Sequence, residues 1–441
     1  MPVRRRLLAA SVVTAACLGA QALCGTAATA TDEVVSRGIT IPAFYNPPTT
    51  LPAADGALVR SEPLKLALSL PSLNGPLPGK ATRLMYKSTD SNGRPVAVTG
   101  AYIEPSAAWK GDGPRPLVVV APGTMGQGDQ CSASMGLEHP IRFNGETVSV
   151  GYEDLTIYRL LAKGTAVVVT DYVGLGATDR LHTYVNRVDE AHAVLNAVRA
   201  ARQVAGASVT AESRVGLFGY SQGGGASAAA AELQPSYAPD VNLVGAYAGA
   251  PPADLDKVTR AIDGKELAGA LGWSLNGFVQ SDPSLKPIAD AHLNSKGRAA
   301  MTDLSTMCVG DAILKYAGAD SEDWTKDGRS ISEIIAVYPN LTAFIDSQRI
   351  GKLKPKAPVR VVTGISDNLV PHGQARQLAK DWCAKGANVT YQAELVPPLG
   401  SSLLNHMTPL LTDQGEAVDW IVDRLKGRGV SSNCWSMPLQ P

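Results

Sequence analysis

Three observations predict an α/β fold class built on a mostly parallel central sheet. Strand-like apolar runs recur along the 441-residue chain, helix-period patterns lie between most of the later ones, and one run ends in Gly219-Tyr220-Ser221-Gln222-Gly223 before an alanine-rich stretch. Strands that alternate with helices imply a parallel sheet covered on both faces. The third observation adds a sharp strand-to-helix turn that carries a serine, which needs a glycine two positions to either side to avoid collision.

The elements follow in chain order. Arg4-Arg5-Arg6, an apolar and small-residue stretch over 7–23, and Ala28-Thr29-Ala30 before Asp32-Glu33 make residues 1–30 a secretory signal peptide, with cleavage expected after Ala30. Alanine and glycine dominate that stretch, which favours a signal over a membrane anchor, so no integral membrane segment is expected after cleavage. Residues 31–441 then form one domain in an exported, extracellular protein. From 31 to about 64, proline and small residues such as Tyr45-Asn46-Pro47-Pro48 predict an extended arm lying over the domain.

Strands are predicted over 82–86, 96–103, 116–121, 166–172, 214–220, 242–248, 358–364 and 389–395. Helices are predicted over 152–163, 189–204, 374–385 and 415–425, where apolar residues recur at i, i+3 and i+4. The stretch at about 253–353 breaks the alternation: it has helix-like segments, notably 266–279 and 331–345, and no convincing strand. A connection of that length between two sheet strands is unlike a plain loop, so a helical cap inserted in the domain is expected. Its apolar residues either pack the cap onto the domain or line a tunnel or lid.

Lys+Arg and Asp+Glu both number 40, giving zero net charge. With no long run of one sign, nothing points to nucleic acid or to an anionic membrane surface. Beyond the signal remain Cys131, Cys308, Cys383 and Cys434, an even number that implies two disulfides among three connectivities. None of these cysteines sits at zinc-ligand spacing, so no metal is expected, and no organic cofactor.

A serine hydroxyl is a poor nucleophile near neutral pH, so Ser221 needs a base, and that base needs an acceptor on its other nitrogen. Only His372 and His406 lie beyond Ser221 and outside the expected cap. His406 follows the last predicted strand, in the loop Gly400-Ser401-Ser402-Leu403-Leu404-Asn405-His406 before a C-terminal helix, and is the base candidate; His372 is read as a loop residue. Asp367, after the strand at 358–364, is the acid candidate, with Asp254 as the alternative one strand earlier; an Asx-turn would equally explain an aspartate at 367. Acyl transfer also needs two donors for an oxyanion. The Gln222 backbone amide supplies one, and the second is expected from the loop at 122–131.

Together these residues resemble the secretory lipase family of α/β hydrolases, which includes the fungal lipase A. The resemblance rests on Phe44-Tyr45-Asn46-Pro47-Pro48, Pro122-Gly123-Thr124 with Asp129-Gln130-Cys131, Asp171-Tyr172 with Gly174-Leu175-Gly176, Gly219 to Gly224, Ser366-Asp367-Asn368-Leu369-Val370-Pro371 and Cys383-Ala384-Lys385-Gly386-Ala387-Asn388. It implies an α/β-hydrolase core with a helical cap between the last strands, a nucleophile, acid and base at Ser221, Asp367 and His406, and a second oxyanion amide at Asp129. It also implies the pairing Cys131–Cys308 and Cys383–Cys434. The activity implied is that of a secreted triacylglycerol lipase cleaving carboxylic esters through an acyl-Ser221 intermediate, on lipid or ester substrates and at a lipid-water interface. A short-chain carboxylesterase, or an acyltransferase using the same triad, is the alternative.

Overall fold

The computed structural model describes residues 33–71 and 77–441, so the signal segment predicted over 1–30 lies outside the described residues. Nine strands form the main sheet: β1 (Leu58–Leu64), β2 (Gly79–Thr89), β3 (Pro95–Pro105), β4 (Leu117–Ala121), β5 (Ala166–Val173), β6 (Val215–Tyr220), β7 (Leu243–Gly249), β8 (Val359–Gly364) and β9 (Val389–Glu394). Their order across the sheet is β9-β8-β7-β6-β4-β5-β3-β2-β1. Neighbours from β9 through β5 run parallel, while β3, β2 and β1 continue the sheet antiparallel. The central strands read as unbroken apolar runs because both faces are covered; every residue of β4, β5 and β6 is buried.

Helices α1 (Asp154–Ala162), α2 (Arg187–Ala201) and α3 (Gln222–Tyr237) fill the crossovers between parallel strands. Between β7 and β8 the chain leaves the sheet and forms seven α-helices: α4 (Leu255–Ile262), α5 (Gly269–Ser281), α6 (Lys286–His292), α7 (Ser295–Leu304), α8 (Val309–Tyr316), α9 (Ile331–Val337) and α10 (Pro339–Ser347). They enclose an apolar centre of their own around Trp273, whose indole N–H donates to the Leu304 carbonyl at 2.9 Å. The chain then returns through β8, α11 (His372–Ala384), β9, α12 (Ser402–Thr412) and α13 (Gln414–Leu425). This is an α/β-hydrolase fold with an inserted helical cap.

Two covalent ties are present. Cys131–Cys308 joins the loop after β4 to the N-terminal end of α8, and Cys383–Cys434 joins α11 to the C-terminal tail. Buried Glu232 on α3 secures the end of the insertion: its Oε1 accepts from the amides of Gly351 (2.7 Å) and Leu353 (3.1 Å) and from the Trp382 indole (2.9 Å).

The structure differs from the sequence reading at the N-terminal end of the domain. The arm expected from 31 to about 64 does include the buried Tyr45, whose hydroxyl meets Ser134 Oγ at 2.7 Å. Its last residues, however, form β1, antiparallel to β2 from Leu58↔Tyr86 to Leu64↔Ala81. Arg60, Glu62 and Pro63 dilute the strand pattern in the sequence, yet charge and proline are tolerated on a strand that ends the sheet.

Candidate active site

The parallel register brings the C-terminal ends of four adjacent strands to one rim. Gly219 of β6 lies opposite Ala121 of β4, Tyr220 opposite Gly249 of β7, and Gly249 opposite Val362 of β8. In open α/β sheets the crevice outside these ends is where ligands bind. The loops after β4, β6 and β8, together with α12, meet there.

Ser221 occupies the single residue between β6 and α3 with φ 56° and ψ −124°, and its amide donates to the Gly249 carbonyl at 2.9 Å. That positive φ is strained for a serine and survives only because its surroundings fix it. The flanking glycines are why the chain can make the turn: a methyl group on Gly219 would sit 2.1 Å from the Gly223 carbonyl oxygen, and one on Gly223 would sit 2.0 Å from that of Ala121.

His406 stands against the serine, with Nε2 2.8 Å from Ser221 Oγ and Nδ1 2.7 Å from Asp367 Oδ2. The other oxygen of Asp367, Oδ1, accepts from the amides of Leu369 (3.1 Å) and Val370 (3.0 Å). The Asx-turn and the bond to histidine thus coexist on one side chain. Both Asp367 and His406 are buried, and the Tyr220 hydroxyl donates to the His406 carbonyl at 2.6 Å. A neutral imidazole whose Nδ1–H points at the carboxylate presents its Nε2 lone pair to the serine, the arrangement that general-base activation requires.

One local expectation is corrected: His406 lies within α12 rather than in a loop. Ser401 caps that helix, its side chain accepting from the Leu404 amide at 3.3 Å. Pro409 inside the helix is what obscures it in the sequence, since proline usually marks a break. The alternative acid Asp254 is engaged elsewhere, pairing with Arg349 at 3.3 Å and Lys257 at 3.5 Å. His372 begins α11, its Nε2 3.4 Å from the Tyr391 hydroxyl.

Gln222, the first residue of α3, has an amide outside the helical ladder, as first-turn amides must. Its side chain is pinned behind the rim: Nε2 donates to Glu190 Oε1 at 2.8 Å and lies 3.0 Å from His182 Nε2. Burial pulls the His182 imidazole down to about 4, so the ring is neutral. It is assigned a proton on Nδ1, which faces the Val173 carbonyl at 2.9 Å, leaving Nε2 to accept from Gln222. Burial also pushes the Glu190 carboxyl up to about 8.

Asp129 lies in the 3-10 turn Asp129–Cys131, and its carboxyl, pushed up to about 8 by burial, accepts from the Gly176 amide. Neither Asp129 nor Thr124 is among the residues that line the cavity at Ser221. The part of that loop nearest the serine turn is Pro122-Gly123, and Thr124 follows it. A methyl on Gly123 would sit 3.1 Å from the Tyr220 carbonyl oxygen, and Thr124 Oγ1 lies 2.8 Å from the hydroxyl of Tyr184, which lines the cavity with Ser221. The rest of this segment is tied down by the Tyr172 hydroxyl on the Pro122 carbonyl (2.7 Å), Glu153 Oε1 on the Gly123 amide (2.7 Å) and the Tyr152 hydroxyl on the Thr124 carbonyl (3.1 Å). Among the described residues neither the Thr124 amide nor the Asp129 amide has a protein acceptor.

Ser221 opens into a small cavity of about 30 Å³ walled by apolar side chains from the insertion, including Leu255, Ile262 and Leu267. A second apolar cavity, of about 60 Å³, lies wholly within the insertion and shares Thr259, Ser274 and Phe278 with the first.

The secretory lipase family profile matches residues 137–433. The chain is 30% identical over 393 residues to a probable inactive lipase of Mycobacterium tuberculosis, covering 88% of this chain and 83% of that protein. It is 26% identical over 396 residues to lipase A of Arthroderma benhamiae, covering 89% and 80%. The fold is similar to that of Candida antarctica lipase A in its closed state, with a TM-score of 0.74 at 20% identity over 89% of this chain and 87% of that one. The sheet order, the serine between β6 and α3, and a family match over about two thirds of the chain agree: this chain belongs to the secretory lipase family.

Proposed function

We propose that this chain is an exported serine ester hydrolase and, within that class, a triacylglycerol lipase. The observation that carries the reading is the unbroken series Asp367–His406–Ser221 at hydrogen-bond distances, opening into an apolar cavity. Ser221 Oγ attacks the ester carbonyl carbon as His406 Nε2 takes its proton, and Asp367 holds the imidazole in the required tautomer and stabilises the imidazolium. The oxyanion that forms is received by the Gln222 amide together with a second amide from the loop after β4, that of Asp129 or of Thr124. His406 returns the proton to the departing alkoxide, leaving an acyl-Ser221 ester. Water, deprotonated by His406, then attacks that ester, and collapse of the second tetrahedral intermediate returns the proton to Ser221. Side chains, amides and water carry every step.

The Mycobacterium tuberculosis relative is named as inactive, but here the nucleophile, base and acid are all present and in contact. The apolar lining that continues from Ser221 into the insertion suits acyl chains, which supports a lipase at a lipid-water interface. Export is supported by the signal-like sequence of residues 1–30 together with two disulfides.

The test is the initial rate on p-nitrophenyl esters from acetate to palmitate, with Ser221→Ala as the blank. A maximum at long chains is expected. A maximum at acetate or butyrate would move the assignment to a short-chain carboxylesterase, and product that follows an added acceptor alcohol would move it to an acyltransferase. Turnover equal to that of the Ser221→Ala protein would remove the nucleophile assignment.

A further inference from the structure

The helix that carries His406 is capped from outside the sheet domain. An α-helix leaves its first amides without acceptors in its own ladder. In α12 the Leu404 amide is taken by Ser401 Oγ, and the Asn405 amide by the Ser401 carbonyl at 3.0 Å. The remaining two, on Ser402 and Leu403, both point at Glu266 Oε1, at 2.9 and 3.5 Å, and the Ser401 hydroxyl donates to the same oxygen at 2.8 Å. Glu266 is not part of that segment; it belongs to the insertion, in the turn that precedes α5. A carboxylate at this end of a helix also meets the positive pole of the helix dipole. Leu403 adds an apolar contact, packing against the centre of the insertion.

We propose that Glu266 is a positioning residue for His406, so that the base is aligned on Ser221 only while the insertion is docked. The inference rests on His406 being the base. His406 stands one turn beyond the amides that Glu266 holds, and the Tyr220 hydroxyl fixes its carbonyl from the core side. The core therefore anchors the middle of α12 and the insertion anchors its start. Releasing the start lets the first turn fray, and a proton transfer over 2.8 Å is sensitive to displacements of a fraction of that length. Movement of the insertion to admit or release a substrate would thus disengage the base at the same time.

The experiment compares Glu266→Ala and Glu266→Gln with the wild type on p-nitrophenyl acetate, whose acyl group is too short to probe the inner cavity. Three quantities are read: kcat with KM, the second-order rate of inactivation by a fluorophosphonate probe, and the thermal midpoint. Glu266→Ala is expected to lower kcat and the inactivation rate together, by about five- to tenfold, with KM unchanged. Glu266→Gln, which keeps a carbonyl oxygen in the same place, should recover most of the loss. A Glu266→Ala protein with wild-type kcat and inactivation rate and only a lower thermal midpoint would overturn the proposal, as would a rise in KM with kcat unchanged. His406→Ala serves as the reference: if it retained turnover, the base assignment itself would fall, whereas an inactive His406→Ala beside a fully active Glu266→Ala would remove the positioning role alone.

Discussion

Asp367 shows how two roles share one side chain, because Oδ2 meets the imidazole while Oδ1 closes the turn onto Leu369 and Val370. Asparagine can keep the turn with its carbonyl oxygen, but its NH2 group then faces Nδ1 and favours the tautomer that cannot act as base. Asp367→Asn is therefore expected to fold normally and to lose about 10⁴-fold in kcat. Steady-state rates beside a melting curve decide it; lost stability with an intact rate would move the acid elsewhere, to Asp254 first. Glu153 offers a pH test at the same scale. Burial pushes its carboxyl up to about 7 from 4.5, so the folded protein binds this proton more tightly than the unfolded chain. Its contribution is complete below about pH 4.5 and is lost as pH rises through about 7, to a limit of about 3 kcal/mol. Glu153→Gln keeps an oxygen for the Gly123 amide and has nothing to ionise, so its melting temperature should gain on the wild type across that window. Parallel curves would show that Glu153 titrates normally. The meeting of Ser221, Asp367 and His406 was readable in the sequence, since candidates for a nucleophile, an acid and a base are residue types and each follows a strand-like run. An oxyanion donor is a backbone amide with no residue signature, which is why the residues alone pointed only to the loop at 122–131 and Asp129 came from the family resemblance.

The same division holds for the elements. Central strands such as β4 and β5 are legible because burial on both faces demands continuous apolar sequence. β1 is not, since a strand with one neighbour needs neither alternation nor freedom from proline, and α12 is hidden by the proline inside it. The turn between β6 and α3 is the most sharply specified local structure of all, and it makes a demanding prediction. A methyl on Gly223 meets the Ala121 carbonyl oxygen at 2.0 Å, and both partners are backbone that cannot rotate away. Gly223→Ala must therefore separate α3 from β4 or distort the turn. We expect a loss of about 3 kcal/mol or more, seen as a lower denaturation midpoint, together with loss of esterase activity even where the protein remains folded. A variant with wild-type stability and rate would mean that the turn relaxes without moving Ser221.

At the scale of the molecule, sheet domain and insertion make a site that neither holds alone. The sequence announces the insertion by a hundred residues without a strand, but a cavity depends on which helix faces meet, and periodicity within single helices does not encode that. Cys131–Cys308 and Glu232 tie the insertion to the sheet domain near its middle and at its end, leaving its first part, which lines the cavity at Ser221 and carries Glu266, outside those ties. The chamber at the serine and the chamber inside the insertion meet at Thr259, Ser274 and Phe278, with Phe278 set edge-on to Phe344 at a centroid distance of 5.0 Å. If acyl chains pass this point, the small side chain of Ser274 leaves them room. Ser274→Phe would then close the passage while leaving the Asp367–His406–Ser221 series untouched. Its kcat/KM for p-nitrophenyl palmitate should fall at least tenfold relative to that for the acetate, a discrimination within what a reshaped apolar pocket supplies. Equal losses on both esters would point to a general disturbance of the insertion. Unchanged ratios would mean that the acyl chain leaves the serine by another route, and the inner chamber would then be packing space between helices and no part of the substrate path.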